Sequence, residues 1–268
     1  MRKRSILIVG LAIAATTAIV TSGAIAGPTG SAVTSPDGNA QAVGAVLKPK
    51  KLYKKQWTPA ALEVTTALSN STRAGGVPVP TTRVVIDFDK NTKVFSKGYP
   101  TCEASKLQSV STEVARRECK KAIIGTGNAE ALLPVGSQVF NVKQEVTAFN
   151  GVPQGGKPVI LLHSYGTTPI QTALVLTGVV TNYNKEGYGP RLDVEVPLIA
   201  GGAGALIYFN VTVDKKYSYK GKKVSYIQAK CPASKKLKAR SVFTFLDNQT
   251  SNPIFTASCS PKPEPKKK

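Results

Sequence analysis

The chain has 268 residues, and its 36 Lys and Arg outnumber 15 Asp and Glu, a formal charge of +21 at neutral pH. That excess favours polyanionic partners such as wall polymers, lipid head groups, acidic polysaccharides or nucleic acid, and it also serves solubility. Four cysteines without a Cys-x-x-Cys, and a single histidine, His163, far from all of them in sequence, speak against a zinc site.

Residues 1–26 read as an export signal. Arg2, Lys3 and Arg4 precede an apolar run over residues 6–20, and Ala24-Ile25-Ala26 supplies the small-x-small cleavage pattern. The apolar run is short for a membrane span, so the spacing predicts cleavage after Ala26. Cleavage would remove three of the 36 basic residues and no acids, leaving 33 against 15, a formal +18. In an oxidising compartment an even cysteine count predicts disulfides. Cys102–Cys119 and Cys231–Cys259 are expected, because each pair is nearest in sequence.

Residues 27–56 are rich in Gly, Ser, Ala and Pro and then in lysine, and read as a flexible basic leader. A folded body is expected over residues 57–260, with an extended basic Pro/Lys tail at 261–268. Leu62, Val64 and Thr66 alternate with polar residues, and residues 83–88 and 93–95 suggest a hairpin. Residues 103–121 are the exception. Leu107, Val110 and Val114 fall on one helical stripe, with basic residues late in the run. Strand patterns resume at 131–134, 138–149 and 158–163, the last apolar on both faces. They continue at 170–180, at Leu192, Val194 and Val196, and at Ile207, Phe209, Val211 and Val213. Val224, Tyr226 and Gln228, then 242–246 and 254–257, complete the series. The pattern predicts an all-β fold, an antiparallel β-sandwich or jelly roll with one short disulfide-stapled helix.

Motifs for catalysis are few. His163 has Ser164 beside it, but adjacent strand residues point to opposite faces, and no Gly-x-Ser-x-Gly elbow occurs. Asp87 with Asp89, and Asp193 with Glu195, are same-face carboxylate pairs. They would serve a glycosidase only across a shared cleft. Asp87-x-Asp89-x-Asn91 lacks the glycine and closing glutamate of a calcium loop. Gly125-x-Gly127 and the glycines at 201–204 fit neither nucleotide fingerprint and read as turns or bulges. No cofactor and no metal are expected.

The best candidate for binding is residues 215–226. Lys215, Lys216, Lys220, Lys222 and Lys223 interleave with Tyr217 and Tyr219, the lysines for anionic groups and the tyrosines for stacking on sugars or bases. Lys220-Gly221 marks its turn. The plainer reading is a solvated hairpin.

The chain resembles a loose group of uncharacterised secreted, disulfide-containing β-rich proteins of high-GC Gram-positive bacteria. VFSKGYPTC at 94–102, ECKKAIIGTG at 118–127, VTAFNG at 146–151 and the Cys-Pro…Phe-Thr-Phe…Cys frame at 231–259 carry the likeness. The resemblance implies an exported β-rich fold with two bridges and transfers no functional residue. The expected function is that of a secreted, non-enzymatic binding or cell-envelope-associated module contacting an anionic wall polymer or acidic polysaccharide, with nucleic acid bound only adventitiously. The alternative is a secreted carbohydrate-active enzyme using a carboxylate pair.

Overall fold

A computed structural model describes residues 31–167 and 171–265. The expected export signal and its cleavage site lie outside the described residues, as do 27–30 and 266–268. In chain order the strands are β1 (Ser31–Thr34), β2 (Asn39–Lys48), β3 (Lys51–Leu52), β4 (Thr58–Asn70), β5 (Thr81–Asp89) and β6 (Thr92–Val94). Helix α1 (Thr112–Glu118) follows, then β7 (Ile123–Val135), β8 (Gln138–Gln154), β9 (Lys157–Gly166), β10 (Thr172–Asn182) and β11 (Tyr188–Glu195). The last set is β12 (Ala205–Val213), β13 (Lys216–Tyr219), β14 (Lys222–Ser225), β15 (Ile227–Ala229), β16 (Lys236–Phe245), β17 (Thr250–Ser251), β18 (Ile254–Ser258) and β19 (Ser260–Pro261).

Among the described residues the fold is all-β, with one α-helix and two disulfides, and the strands pair antiparallel except β3 with β19. One sheet runs β1-β2-β4-β12-β7-β8-β9-β10-β11-β5-β16-β17, and β18 pairs with β16. Because β18 also lies against β2, the sheet curls into a nearly closed barrel. Period-two alternation then divides residues between an interior and an outer face. Leu62, Val64, Thr66 and Leu68 of β4 border the interior, as do Val84, Ile86 and Phe88 of β5 and Leu192 and Val194 of β11.

The expected flexible leader is corrected. Residues 39–48 form β2, paired with β4 from Asn39↔Asn70 to Lys48↔Ala61, and bury Val43, Ala45 and Leu47. Small residues hide this alternation: Val43 stands among Ala and Gly, and the adjacent Val46 and Leu47 fall on opposite faces. The tail is docked as well. Lys262 N donates to Leu52 O, and Glu264 Oε1 accepts from the amides of Lys54 and Lys55.

The helical stretch is shorter than its stripe suggested. A 3-10 turn at Ala104–Leu107 ends before Ser109, whose φ of 57° breaks the helical path. Ser111 then caps α1, accepting from Val114 N at 3.4 Å. Leu107 and Ala115 are buried with Phe149, Val159 and Leu161, so this unit covers the outer face of β8 and β9. Cys102–Cys119 closes it as expected, and Cys231–Cys259 ties the start of the final segment to its end. Gly125 and Gly127 lie within β7 and are not turns, although the register with β8 does shift between Ile123 and Gly125. A Cβ on either would meet the Thr212 or Asn210 carbonyl oxygen of β12 at 2.0 or 1.8 Å, so the glycines let β7 and β12 approach closely. In β12 the register slips between Leu206 and Tyr208, so Leu206 rather than Ile207 joins Phe209, Val211 and Val213 on the barrel interior.

Candidate functional site: an aromatic and basic face

At the end of the barrel where β4 begins, β15 pairs with both β4 and β6. Gln228 of β15 stands opposite Pro59 on one side and Lys93 on the other. This register brings together Trp57, just before β4, Lys93 on β6, and Lys230, just after β15. Lys93 Nζ lies 4.3 Å and Lys230 Nζ 4.4 Å from the centroid of the Trp57 ring. Lys93 Nζ is also 5.3 Å from the Phe95 ring. Burial, and then the like charge of Lys230, lower the Lys93 pKa. Two ammonium groups thus share one indole, with no ion-pair partner among the described residues, an arrangement that a ligand anion would relieve.

The predicted hairpin continues this face. β13 and β14 pair from Lys216↔Ser225 to Tyr219↔Lys222, with Lys220 and Gly221 both at positive φ in the connecting turn. Tyr219 meets Phe95 edge-on at 5.4 Å, and Phe95 and Tyr217 stack at 6.4 Å. Tyr217 also packs on Tyr99 at 4.9 Å. The Tyr217 hydroxyl donates to Phe95 O at 2.7 Å and to Lys97 O at 3.1 Å. Burial pushes the Tyr217 phenol up to about 12, assisted by Tyr219 and Tyr99. Tyr217 therefore seats the hairpin, and Tyr219 is the tyrosine nearer the rim. Lys216, Lys220, Lys222 and Lys223 are exposed, and Lys215, also exposed, reaches 6.0 Å from the Tyr99 ring. Among the described residues, none of these five lysines, nor Lys93 or Lys230, takes part in an ion pair.

The structure places the seven predicted residues on and beside one hairpin, but strand alternation divides them: Tyr217, Tyr219 and Lys222 share one face, and Lys216 and Lys223 the other. Sequence reasoning missed Trp57, Lys93 and Lys230, which are remote from one another along the chain. The chain's only tryptophan, beside Lys54 and Lys55, was the one signal that could have pointed to them.

The other candidates resolve differently. Asp87 is buried and accepts from Arg191 Nε at 2.6 Å and Arg240 Nε at 2.8 Å. Asp193 pairs with Arg83, at 2.8 Å to Nε. Both carboxylates stand on the outer face of neighbouring strands β5 and β11, each engaged by arginine. Asp89 orders its own turn, accepting from Asn91 N at 2.8 Å and Lys238 N at 3.0 Å. His163 is fully buried beneath the helical unit, its Nε2 3.0 Å from Val110 O. Burial lowers its pKa, which leaves it neutral and, as Ser164 faces the other way, without a nucleophile to serve. Among the described residues no cluster of three His, Cys, Asp or Glu is placed to hold a metal ion. No helix among them is long and apolar enough to cross a membrane. No protein-family model matches the chain, and no significant match exists among curated proteins or solved structures.

Proposed function

We propose that the protein is a non-enzymatic binding module of the cell envelope that holds an anionic carbohydrate polymer on its aromatic and basic face. The observation that carries this reading is the pair of ammonium groups, Lys93 and Lys230, over the single ring of Trp57. Unpaired lysines on the adjoining hairpin extend the positive field, and Phe95 and Tyr219 offer apolar surface against which sugar rings can lie. Export is part of this reading and is supported by the two disulfides, since such bonds persist in oxidising compartments. The enzymatic alternative has less support, because the Asp87 and Asp193 carboxylates are tied to arginines on an outer face.

The test is retention of the purified protein on isolated cell walls and on an immobilised acidic polysaccharide. Glutamine at Lys215, Lys216, Lys220, Lys222 and Lys223 together should release the protein at much lower salt while leaving its unfolding midpoint unchanged. Elution at the wild-type salt concentration would refute the proposal.

A further inference from the structure

The inside of the barrel is a separate matter from its charged face. About eight strands close a barrel just wide enough for side chains to fill. Here the circuit β2-β4-β12-β7-β8-β9-β10-β11-β5-β16-β18 has eleven. Its inward side chains do not meet in the middle. A cavity of about 150 Å³ remains, and one of about 50 Å³ adjoins it. Leu162, Leu176, Val196, Leu206 and Phe209 wall both spaces, so the two form one elongated lumen. These five residues are only half-buried although they point inward from the barrel wall, because they border empty space instead of neighbouring atoms.

From this geometry we infer that the lumen is a binding site for a small, uncharged, hydrocarbon-rich molecule, the size of a single ring or a short aliphatic chain. Three observations define that class. First, the walls are overwhelmingly aliphatic, and an apolar cavity of this size stays dry and accepts apolar guests. An empty one forfeits the dispersion contacts of its lining. Second, no carboxylate lines either space. The one lysine of the wall, Lys93, holds its ammonium over the Trp57 ring, and Trp57 is not part of the lining. A charged guest would therefore lose its hydration and gain no counter-ion. Third, apart from Lys93 the polar side chains of the lining are uncharged amides, hydroxyls and the neutral His163. Gln41, 2% exposed, spends its amide hydrogens on the Ala42 and Ala67 carbonyls at 3.0 Å each. The Gln41 side chain borders the larger space, and its Oε1 can accept from one hydroxyl on the guest.

The ends of the lumen are built differently. At the β4 start, Val94 and Ile227 close the wall with β6 and β15. At the other end the segment after β11 crosses the smaller space with Pro197 and Ile199. It is held as a loop by the Ile199↔Gly204 bridge, and Ala200, Gly201 and Gly202 all take positive φ.

The experiment is a titration of the full chain with hexan-1-ol, followed by backbone and methyl NMR, with sodium hexanoate as the charged control. Hexan-1-ol should give saturable shifts at Val64, Leu176 and Phe209, and hexanoate should bind at least tenfold more weakly. Leu176→Trp, which fills the junction of the two spaces, should weaken hexan-1-ol at least tenfold. Should that variant not fold, Val64→Phe makes the same test with a smaller intrusion. Shifts confined to outward-facing residues, equal affinity for hexanoate, or undiminished affinity in a folded filled variant would overturn the inference. None of these results depends on the lysines of the outer face, so the two proposals stand or fall separately.

Discussion

The buried hydroxyl of Tyr226 donates to Asn150 Oδ1 at 2.9 Å, and this bond locks the base of the barrel. Asn150 in turn donates from Nδ2 to Pro100 O at 2.9 Å and to Tyr99 O at 3.3 Å. The pair thus ties the strand that follows the hairpin to the segment that leads into Cys102. Tyr226→Phe would leave the Asn150 oxygen buried and unpaired. The expected cost is about 1–3 kcal/mol, read as a lowered urea midpoint with an unchanged slope.

The same region predicts alkaline sensitivity. Burial pushes the Tyr99 and Tyr217 phenols up from 10.0 to about 12, and Tyr226 higher still. Below pH 10 these groups hold their protons in both states. Above it the unfolded chain releases them while the folded chain keeps them, so stability must fall as pH rises from about 10 to about 12. Chemical unfolding across that range checks this, and Tyr226→Phe should flatten the decline.

Asp87 predicts a loss at the acid end. Burial alone would raise its pKa, but hydrogen bonds from Arg191 and Arg240 outweigh this and hold the carboxyl below its ordinary 3.8. Its contribution is therefore present above pH 3.8 and is lost as pH falls through the depressed folded value. Asp87→Asn at neutral pH leaves two guanidinium groups without their charge partner. It should destabilise by about 3 kcal/mol, at the low end for breaking a buried pair because both arginines are partly exposed. Urea unfolding of both proteins at neutral and acid pH measures the effect.

The second disulfide spans 28 residues and joins the entry of β16 to the exit of β18. Replacing Cys231 and Cys259 together by Ala should cost about 3 kcal/mol and lower the thermal midpoint without changing the circular dichroism of the folded state.

Much of the fold was legible in the sequence, because cysteine order and period-two alternation are local signals. Leu62, Val64 and Thr66, and Leu192, Val194 and Val196, face the interior as their spacing required. The same alternation suits a two-sheet sandwich and a curled barrel alike, so the lumen could not be read from it. β2 escaped notice because Ala and Gly dilute its pattern, and the long helix failed at Ser109, where a single left-handed residue reset the chain. Of the candidate site, the hairpin was legible from Lys220-Gly221 and the interleaved lysines. Trp57, Lys93 and Lys230 were not, since only the pairing of β15 with both β4 and β6 brings them together.

Trp57 is the chain's only tryptophan and sits between the two lysines on which the proposed function rests, so its fluorescence reports directly on that site. The decisive measurement is a titration of this emission with an acidic polysaccharide, and with a neutral one of equal length, at several salt concentrations. The acidic polymer should change the emission saturably, with an affinity that falls linearly in the logarithm of salt as counterions are released. Lys93→Gln with Lys230→Gln should reduce that slope. An emission that ignores the acidic polymer, or responds equally to the neutral one at every salt concentration, would contradict the account.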